Sequence, residues 1–273
     1  MNPIERASIA VRHSSALERA DWLWERLRPA YDRMLATIAG RRGLERVING
    51  TDTFRLSPIS RGFIADEYEP EVWHRVMSEV RPRDHVVEVG ASFGLYALAF
   101  AGRAGSGGHV TAFEPDPQSA SALKANIRVN GWHTRITLVR AAVGAANGEI
   151  RFAAARGTES RIATRNDSNQ DVITVPIVTL DGAIGDGRLD LLKIDVEGFE
   201  EQVLRGARAI LTSTNRRPRA IQIEVHPFAW SDVGTTSASL LGLLGECGFE
   251  VENMAGDKVR EISEYGHVIA LRK

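Results

Sequence analysis

Val86-Val87-Glu88-Val89-Gly90-Ala91-Ser92-Phe93-Gly94 reads as a strand, a tight turn and the start of a helix. The valines make a short apolar strand, and an acid sits near its carboxyl end. Two glycines four positions apart then let the chain turn closely around a ligand, and the apolar run Phe93–Ala101 is the helix that follows. A dinucleotide-binding turn would read G-x-G-x-x-G and set pyrophosphate on the helix N-terminus. Here Ser92 stands at the second glycine, and the Glu88 carboxylate would repel a pyrophosphate while accepting bonds from an amino group. This turn suits an adenosyl amino acid better than a dinucleotide.

Outward from that turn, strand and helix alternate. A helix over 70–80 carries the stripe Trp73, Val76, Met77 and Val80 behind Pro70. His109–Phe113 is the second strand and ends at Glu114-Pro115, twenty residues past Gly94. Asp116 caps the next helix, with Pro117 in its first turn, and Asn130-Gly131 closes it. Ile136–Ala141 is a strand, and Glu149–Ala153 and Val172–Val178 form a hairpin pair around a polar loop, 154–171. Leu189–Asp195 and Ala220–Val225 are apolar enough to be covered on both faces. A helix through Val203, Leu204, Ala207 and Ile210 lies between them, and a helix at Leu240–Leu244 precedes the strands Phe249–Met254 and His267–Leu271. This order predicts a doubly wound α/β sheet, whose ligands sit beyond the carboxyl ends of the strands at the switch point.

Chemistry-bearing residues fall at those strand ends. Glu88, Gly90, Ala91, Ser92 and Gly94 follow the first strand; Glu114 and Pro115 follow the second, where a carboxylate can accept bonds from both ribose hydroxyls. Ala141 and Ala142 leave room for an adenine ring. Asp195 and Glu197 close the central strand, and Glu224 and His226 stand at the mouth of its neighbour.

Composition narrows the classes. With 34 basic and 35 acidic residues the net charge is −1, which argues against a nucleic-acid partner. One cysteine, Cys247, excludes a disulfide framework and reads as a small core residue. The sequence shows neither an apolar membrane span nor a secretory leader, so a cytoplasmic location is expected, and the scarcity of lysine points to a GC-rich bacterial genome. Residues 1–55 differ from the rest. Leu17, Ala20, Trp24 and Leu27, then Tyr31, Met34, Leu35 and Ile38, predict two helices around Pro29. They form an extension that caps the domain or pairs two copies into a homodimer; Trp22 and Trp24 leave a membrane-surface role as the alternative.

The motifs "VVEVGASFGLYALAFA", "FEPDP", "LKANIRVNG", "AAVG" and "LLKIDVEGFEEQVLRGA" resemble those of the FkbM-type family of S-adenosylmethionine-dependent methyltransferases over roughly residues 65–230. The resemblance implies a class I methyltransferase (Rossmann-like) domain over 56–273, with a seven-stranded sheet whose last strand is antiparallel. It further implies methyl transfer, most often to the hydroxyl of a small-molecule or glycan acceptor. On it, Glu88, Gly90 and Gly94 line the methionine and ribose end of S-adenosylmethionine, Glu114 holds the ribose, and Ala141-Ala142 borders adenine. Asp195 and Glu197 lie under the methyl group, and Glu69, in Tyr68-Glu69-Pro70, closes over the cofactor. Ser92 and Phe93 depart from the Asn-containing pair common in the loop.

A hydroxyl acceptor must lose a proton, and His226 is the expected general base, with Asp195 second. The alternative is that His226 only bonds a backbone group in the turn before Pro227. Asp195, Glu197, Glu224 and His226 also offer hard ligands for Mg²⁺ holding a diol, a less favoured route. The other histidines, His267 included, read as surface or strand-edge residues, and Lys193 as ion-paired or snorkelling. In the polar loop Arg156, Ser160, Arg161, Arg165 and Asn169 suit an acceptor lid. Two other functions remain open: a nucleic-acid or nitrogen methyltransferase, and a cofactor-binding scaffold without catalysis.

Overall fold

The computed structural model of the protein describes residues 43–60, 66–154, 160–164, 167 and 172–273. The expected helices between Leu17 and Ile38, and Arg156, Arg165 and Asn169 of the polar loop, lie outside the described residues.

The described chain opens with a hairpin of β1 (Leu44–Ile48) and β2 (Asp52–Leu56). Asn49 and Gly50 turn it with φ of 48° and 69°, a region that asparagine and glycine enter most easily. Helix α1 (Pro70–Ser78), strand β3 (His85–Val89), helix α2 (Leu95–Ala104), strand β4 (His109–Phe113), helix α3 (Pro117–Asn130) and strand β5 (Ile136–Val139) follow. The strand expected to reach Ala141 stops at Val139. Ala142–Val143, strand β6, belongs to a second sheet with β7 (Gly148–Ala153), β8 (Arg161–Ile162) and β9 (Val172–Val178), in the order β6-β9-β7-β8. The expected pairing of β7 with β9 is antiparallel, as in a hairpin pair.

Beyond lie α4 (Leu180–Ile184), β10 (Leu191–Ile194), α5 (Glu200–Arg205), α6 (Arg208–Thr212), β11 (Ala220–Val225), α7 (Ser237–Glu246), β12 (Phe249–Asn253) and β13 (Gly266–Arg272). The helix expected through 203–210 breaks at Gly206. A Cβ there would sit 2.0 Å from the Gly144 carbonyl oxygen, so the close approach of this helix junction to the residue after β6 requires a glycine.

The central sheet has seven strands in the order β12-β13-β11-β10-β3-β4-β5, with β13 antiparallel to both its neighbours. This is the class I methyltransferase topology. The order reverses between β3 and β10, which pair in parallel, so the crevice opens beyond Val89 and Ile194.

Alternation along β3 divides the core. Val86 faces α2 and the hairpin residues Ile48, Phe54 and Leu56, whereas Val87 and Val89 face Val203, Leu204 and Ile210 on the other side. Each large side chain buried this way stabilises the fold by about 2 kcal/mol. Asp52 at the start of β2 ties the hairpin down, accepting from Trp73 Nε1 (2.8 Å) and Arg103 Nε (2.7 Å). Burial alone would raise the Asp52 pKa, but the bonds from Arg103 and Trp73 outweigh it and hold the carboxyl below its ordinary 3.8. Residue 55 therefore falls inside β2, on a hairpin packed against the same core.

Two asparagines of "LKANIRVNG" lock α3 to its surroundings. Asn126, fully buried, accepts from the Ser57 N–H (2.7 Å) and donates to the Phe93 carbonyl (2.7 Å) and Ser60 Oγ (2.8 Å). Asn130 pairs with both backbone groups of Arg55. The helix thus fixes the outer side of the glycine turn.

Candidate active site

Beyond the switch point lies one cavity of about 500 Å³. Its floor is the glycine turn. Gly90 and Gly94 have φ of 83° and 85°. A Cβ on Gly90 would lie 1.7 Å from the Asp195 carbonyl oxygen, and one on Gly94 would lie 2.1 Å from Leu123 Cδ1. Ser92, between them, is also left-handed at 47°, a conformation that costs a non-glycine residue about 1 kcal/mol. Backbone bonds hold this strained turn: the Gly90 and Ala91 N–H groups donate to the Phe113 carbonyl (3.0 Å each), and the Ser92 N–H donates to Glu114 Oε2 (2.6 Å).

Glu114 has a second anchor, since its Oε1 accepts from the Asp116 N–H (2.8 Å). Burial pushes its carboxyl up to about 7 despite these two bonds. Both oxygens keep a lone pair for a diol. Glu88, fully buried, is pushed up to about 8, also by burial, and its Oε2 has no hydrogen-bond partner among the described residues. Ser92 Oγ and Tyr96 OH are likewise buried without partners. Ala141, Ala142, Pro115 and Phe152 line the opposite wall.

This donor set fits S-adenosylmethionine. The orphaned Glu88 oxygen suits the ammonium of its amino acid, since a cation relieves the burial penalty on that carboxylate. Glu114 suits the ribose diol, and the small apolar wall suits adenine. Glu69 lies across the cavity at the N-cap of α1, with φ of 38°, and its Oε1 stands 3.6 Å from His267 Nε2.

The other half of the cavity is assembled around Lys193 and His226. Lys193 lies across from Glu88 in the sheet, 3.1 Å from Asp195 Oδ2 and 4.6 Å above the Tyr96 ring. Of the two readings for Lys193, it is the ion-paired one that the structure shows. Burial alone would lower its pKa, but Asp195 and Glu88 raise it, so the ammonium persists. Burial would raise Asp195, but Lys193 overrides that and holds it below the ordinary carboxylate value, which makes it a weak base.

His226 is 2% exposed. Its Nδ1–H donates to Glu200 Oε1 (2.8 Å), and its Nε2 faces Glu197 Oε2 at 3.3 Å and Glu224 Oε1 at 3.8 Å. The ring nitrogens therefore meet carboxylates, not a backbone group of the turn. Burial would lower the imidazole pKa, yet the bond to Glu200 and the charge of Glu197 raise it above 6.5. Glu200 is itself fully buried and receives two further donors, the Gly198 N–H and Trp230 Nε1–H, both at 2.8 Å. Glu197 is held in a left-handed conformation at φ 53°, strain of the sort that clusters at functional sites.

The four residues considered for a cation divide into two groups. Asp195, Glu197 and His226 offer atoms within 4.8 Å of one another, whereas Glu224 groups with Glu69 and His267. Glu224 is pushed up to about 7 by burial and the nearby Asp195, and its Oε1 accepts from Tyr265 OH at 2.5 Å. His267 is a correction to the surface reading. It sits on β13, between two strands, with Gln222 at its Nδ1 (3.3 Å) and Glu69 at its Nε2. Ser160 and Ile162 of the polar loop line the cavity, and Arg161 is tied to Asp167 (2.7 Å).

Sequence reasoning missed Glu200, Tyr96, Phe152, Phe228 and Tyr265, all of which line the cavity or hold a residue that does. Glu200 had a signal, as the second acid of the "VEGFE" run just past the central strand. Tyr265 had none, since it stands in an irregular segment with no period.

A class I topology, a left-handed glycine turn and acids after successive strands define a nucleoside-cofactor-dependent transferase. The methyltransferase FkbM domain model matches residues 88–251, and the chain belongs to that family, whose methyl donor is S-adenosylmethionine. It is similar to the hexuronic acid methyltransferase AglP of Haloferax volcanii, at 25% identity over 76% of this chain and 80% of that protein. Among solved structures it is similar to a methyltransferase FkbM from Methylobacillus flagellatus, with 19% identity and a TM-score of 0.47. That likeness covers 74% of this chain and 50% of that one, so the chain spans about half the length of that protein. An S-adenosylmethionine-dependent O-methyltransferase from Thermotoga maritima is similar at 15% identity and a TM-score of 0.43, over 77% of this chain and 66% of that one. Among the described residues no helix is long and apolar enough to cross a membrane.

Proposed function

We propose that this protein methylates a hydroxyl group on a sugar, glycan or secondary metabolite, with His226 as the general base. The relative that acts on a hexuronic acid supports a sugar acceptor, and the net charge of −1 supports a small molecule over nucleic acid. The observation that carries the reading is the buried Glu200–His226 pair at the rim of the cavity that also holds Glu88 and Glu114.

S-adenosylmethionine, when bound, supplies a methyl group already activated by its sulfonium. Glu88, Gly90, Ala91, Ser92 and Gly94 would hold its amino acid end, Glu114 and Pro115 its ribose, and Ala141 and Ala142 its adenine. Glu69 and Glu197 would bound the methyl side, with Asp195 beneath. The chain then has two tasks, to align the acceptor and to take its proton. Glu200 claims Nδ1–H of His226, so Nε2, beside Glu197, is the nitrogen that would accept the hydroxyl proton. The resulting imidazolium is stabilised by Glu200 on one side and Glu197 on the other. Asp195, held ionised by Lys193, is the weaker candidate base.

Calorimetric titration with S-adenosylhomocysteine, using NAD and Glu114→Ala as controls, tests the cofactor half. Micromolar binding that Glu114→Ala weakens at least tenfold, with no heat from NAD, is expected. A folded protein that takes up NAD instead would sink the reading.

A magnesium-assisted route is the second reading, favoured by the grouping of Asp195, Glu197 and His226. The buried Lys193 ammonium beside Asp195 weighs against it, since it already supplies the positive charge there. Activity that survives exhaustive chelation removes this route.

A further inference from the structure

Two large aromatic side chains stand in water at the mouth of the cavity. Phe228 is 72% exposed and Tyr265 is 55% exposed, although both line the cavity. They come from separate segments and flank the same residue. The Phe228 ring meets His226 edge-on at 5.7 Å and 88°, and the Tyr265 ring lies 5.3 Å from it at 52°. Neither ring is loosely placed. Phe228 follows Pro227 in the short 3-10 helix Pro227–Asp232, and Tyr265 OH donates to Glu224.

A molecule that brings a hydroxyl to His226 must cross these rings. Exposed apolar surface beside a polar cavity is what a ligand covers, at about 25 cal/mol per Å² removed from water. Past the rings, the cavity wall presents the carboxyl groups of Glu69, Glu197 and Glu224. With the Lys193 ammonium of the same lining already paired to Asp195, these groups accept hydrogen bonds and disfavour an anion. The occupant therefore needs a flat apolar face, several hydroxyl donors and no negative charge. A neutral pyranose has all three, because its axial C–H groups form an apolar face and its hydroxyls radiate from the rim. A catechol has the face but too few donors, and a uronate carries the wrong charge.

We propose that Phe228 and Tyr265 form an aromatic platform that stacks the C–H face of a neutral sugar ring and presents one of its hydroxyls to His226. The proposal rests on the hydroxyl-methylation reading but is separable from it, since stacking is a binding property.

Saturation-transfer NMR on the full chain, saturated with S-adenosylhomocysteine, tests it with methyl glucopyranoside, galactopyranoside and mannopyranoside as probes. Methyl glucuronoside and catechol are the comparison ligands. The ring C–H protons of at least one neutral glycoside are expected to receive saturation. Phe228→Ala and Tyr265→Ala should each reduce that signal at least fivefold, Tyr265→Phe should retain it, and S-adenosylhomocysteine affinity should stay within twofold throughout. Preference for the glucuronoside or catechol, no response to any neutral glycoside, or signals unchanged in both alanine variants would overturn it. So would a shifted size-exclusion elution in Phe228→Ala with an unchanged sugar signal, which would assign the ring to a protein contact. Glycoside binding with no methylated product once S-adenosylmethionine replaces S-adenosylhomocysteine would leave the platform standing and defeat the methylation reading instead.

Discussion

The two halves of the cavity are built in different ways. On the glycine-turn side, contiguous backbone does the work: Gly90, Ala91 and Ser92 donate to Phe113 and Glu114, and Asn126 braces the turn from α3. On the His226 side, side chains from three separate segments meet, with Lys193, Glu197 and Glu200 in and after β10, His226 and Phe228 after β11, and Tyr265 before β13. Backbone geometry preserves a shape through changes of side chain, whereas a side-chain constellation is retuned by single substitutions. The difference teaches that a fixed cofactor and a variable acceptor can share one cavity.

The comparison can be broken most directly at His226. His226→Ala should lower turnover about 10²–10⁴-fold, as expected for loss of a positioned base, and leave S-adenosylhomocysteine binding intact. Rapid-quench turnover beside calorimetry checks this, and loss of both together would show that the halves are not independent.

Gly90→Ala attacks the other half. The added Cβ collides with the Asp195 carbonyl in a left-handed turn, so a destabilisation of about 3 kcal/mol and loss of S-adenosylhomocysteine binding are expected. Denaturant unfolding measures the first and calorimetry the second; an unchanged midpoint would refute the account of the turn.

Glu200→Gln sharpens the contrast by keeping the shape and removing a charge. Turnover should fall about tenfold to a hundredfold. Because Glu200 helps raise the His226 pKa above 6.5, the acid limb of the pH–rate profile should also move to lower pH in this variant. In the wild type, activity should rise with pH through that raised value, as the imidazole loses its proton. A merely structural Glu200 would lower the rate without moving the limb.

The smallest effect lies outside the cavity. The Asp52 pKa is lower in the folded state, so its contribution to stability is present at neutral pH and is lost as pH falls through and below 3.8. Asp52→Asn should cost about 1 kcal/mol at pH 7 and flatten the acid side of the stability curve, which urea titrations at several pH values would reveal. The turn is expected to keep its cofactor affinity throughout, since the hairpin braces it only through α2 and α3.

The legibility of the chain follows the same division. The strand ends that carry Glu88, Glu114, Asp195 and His226 could be read from local pattern, because apolar runs and glycines act over a few residues. The Asp116 cap is one such feature, with Asp116 Oδ1 accepting from the Ser119 N–H at 2.7 Å. The β1–β2 hairpin escaped notice although Asn49-Gly50 is a turn signal, because its strands are short and β1 breaks the apolar alternation, with Arg46 buried and Val47 exposed. Beyond the expected β7–β9 pair, the second sheet escaped because β6 is only two residues long and gains its meaning from β9, more than 25 residues away. His267 read as peripheral because a lone histidine carries no spacing; only the pairing of His267 with Glu224 across β13 and β11 brings it beside the cavity residues Glu69 and Glu224.

By itself the amino-acid order determined a doubly wound α/β sheet, the glycine turn and the acids at the strand ends, since each depends on local periodicity and on conformations that only glycine adopts cheaply. Only the tertiary structure decided that Glu200 orients His226, that Lys193 keeps Asp195 ionised, and that Phe228 and Tyr265 flank the same imidazole. Those contacts join residues up to 39 positions apart, as His226 and Tyr265 are, and their chemistry arises from burial and distance, which no local pattern encodes.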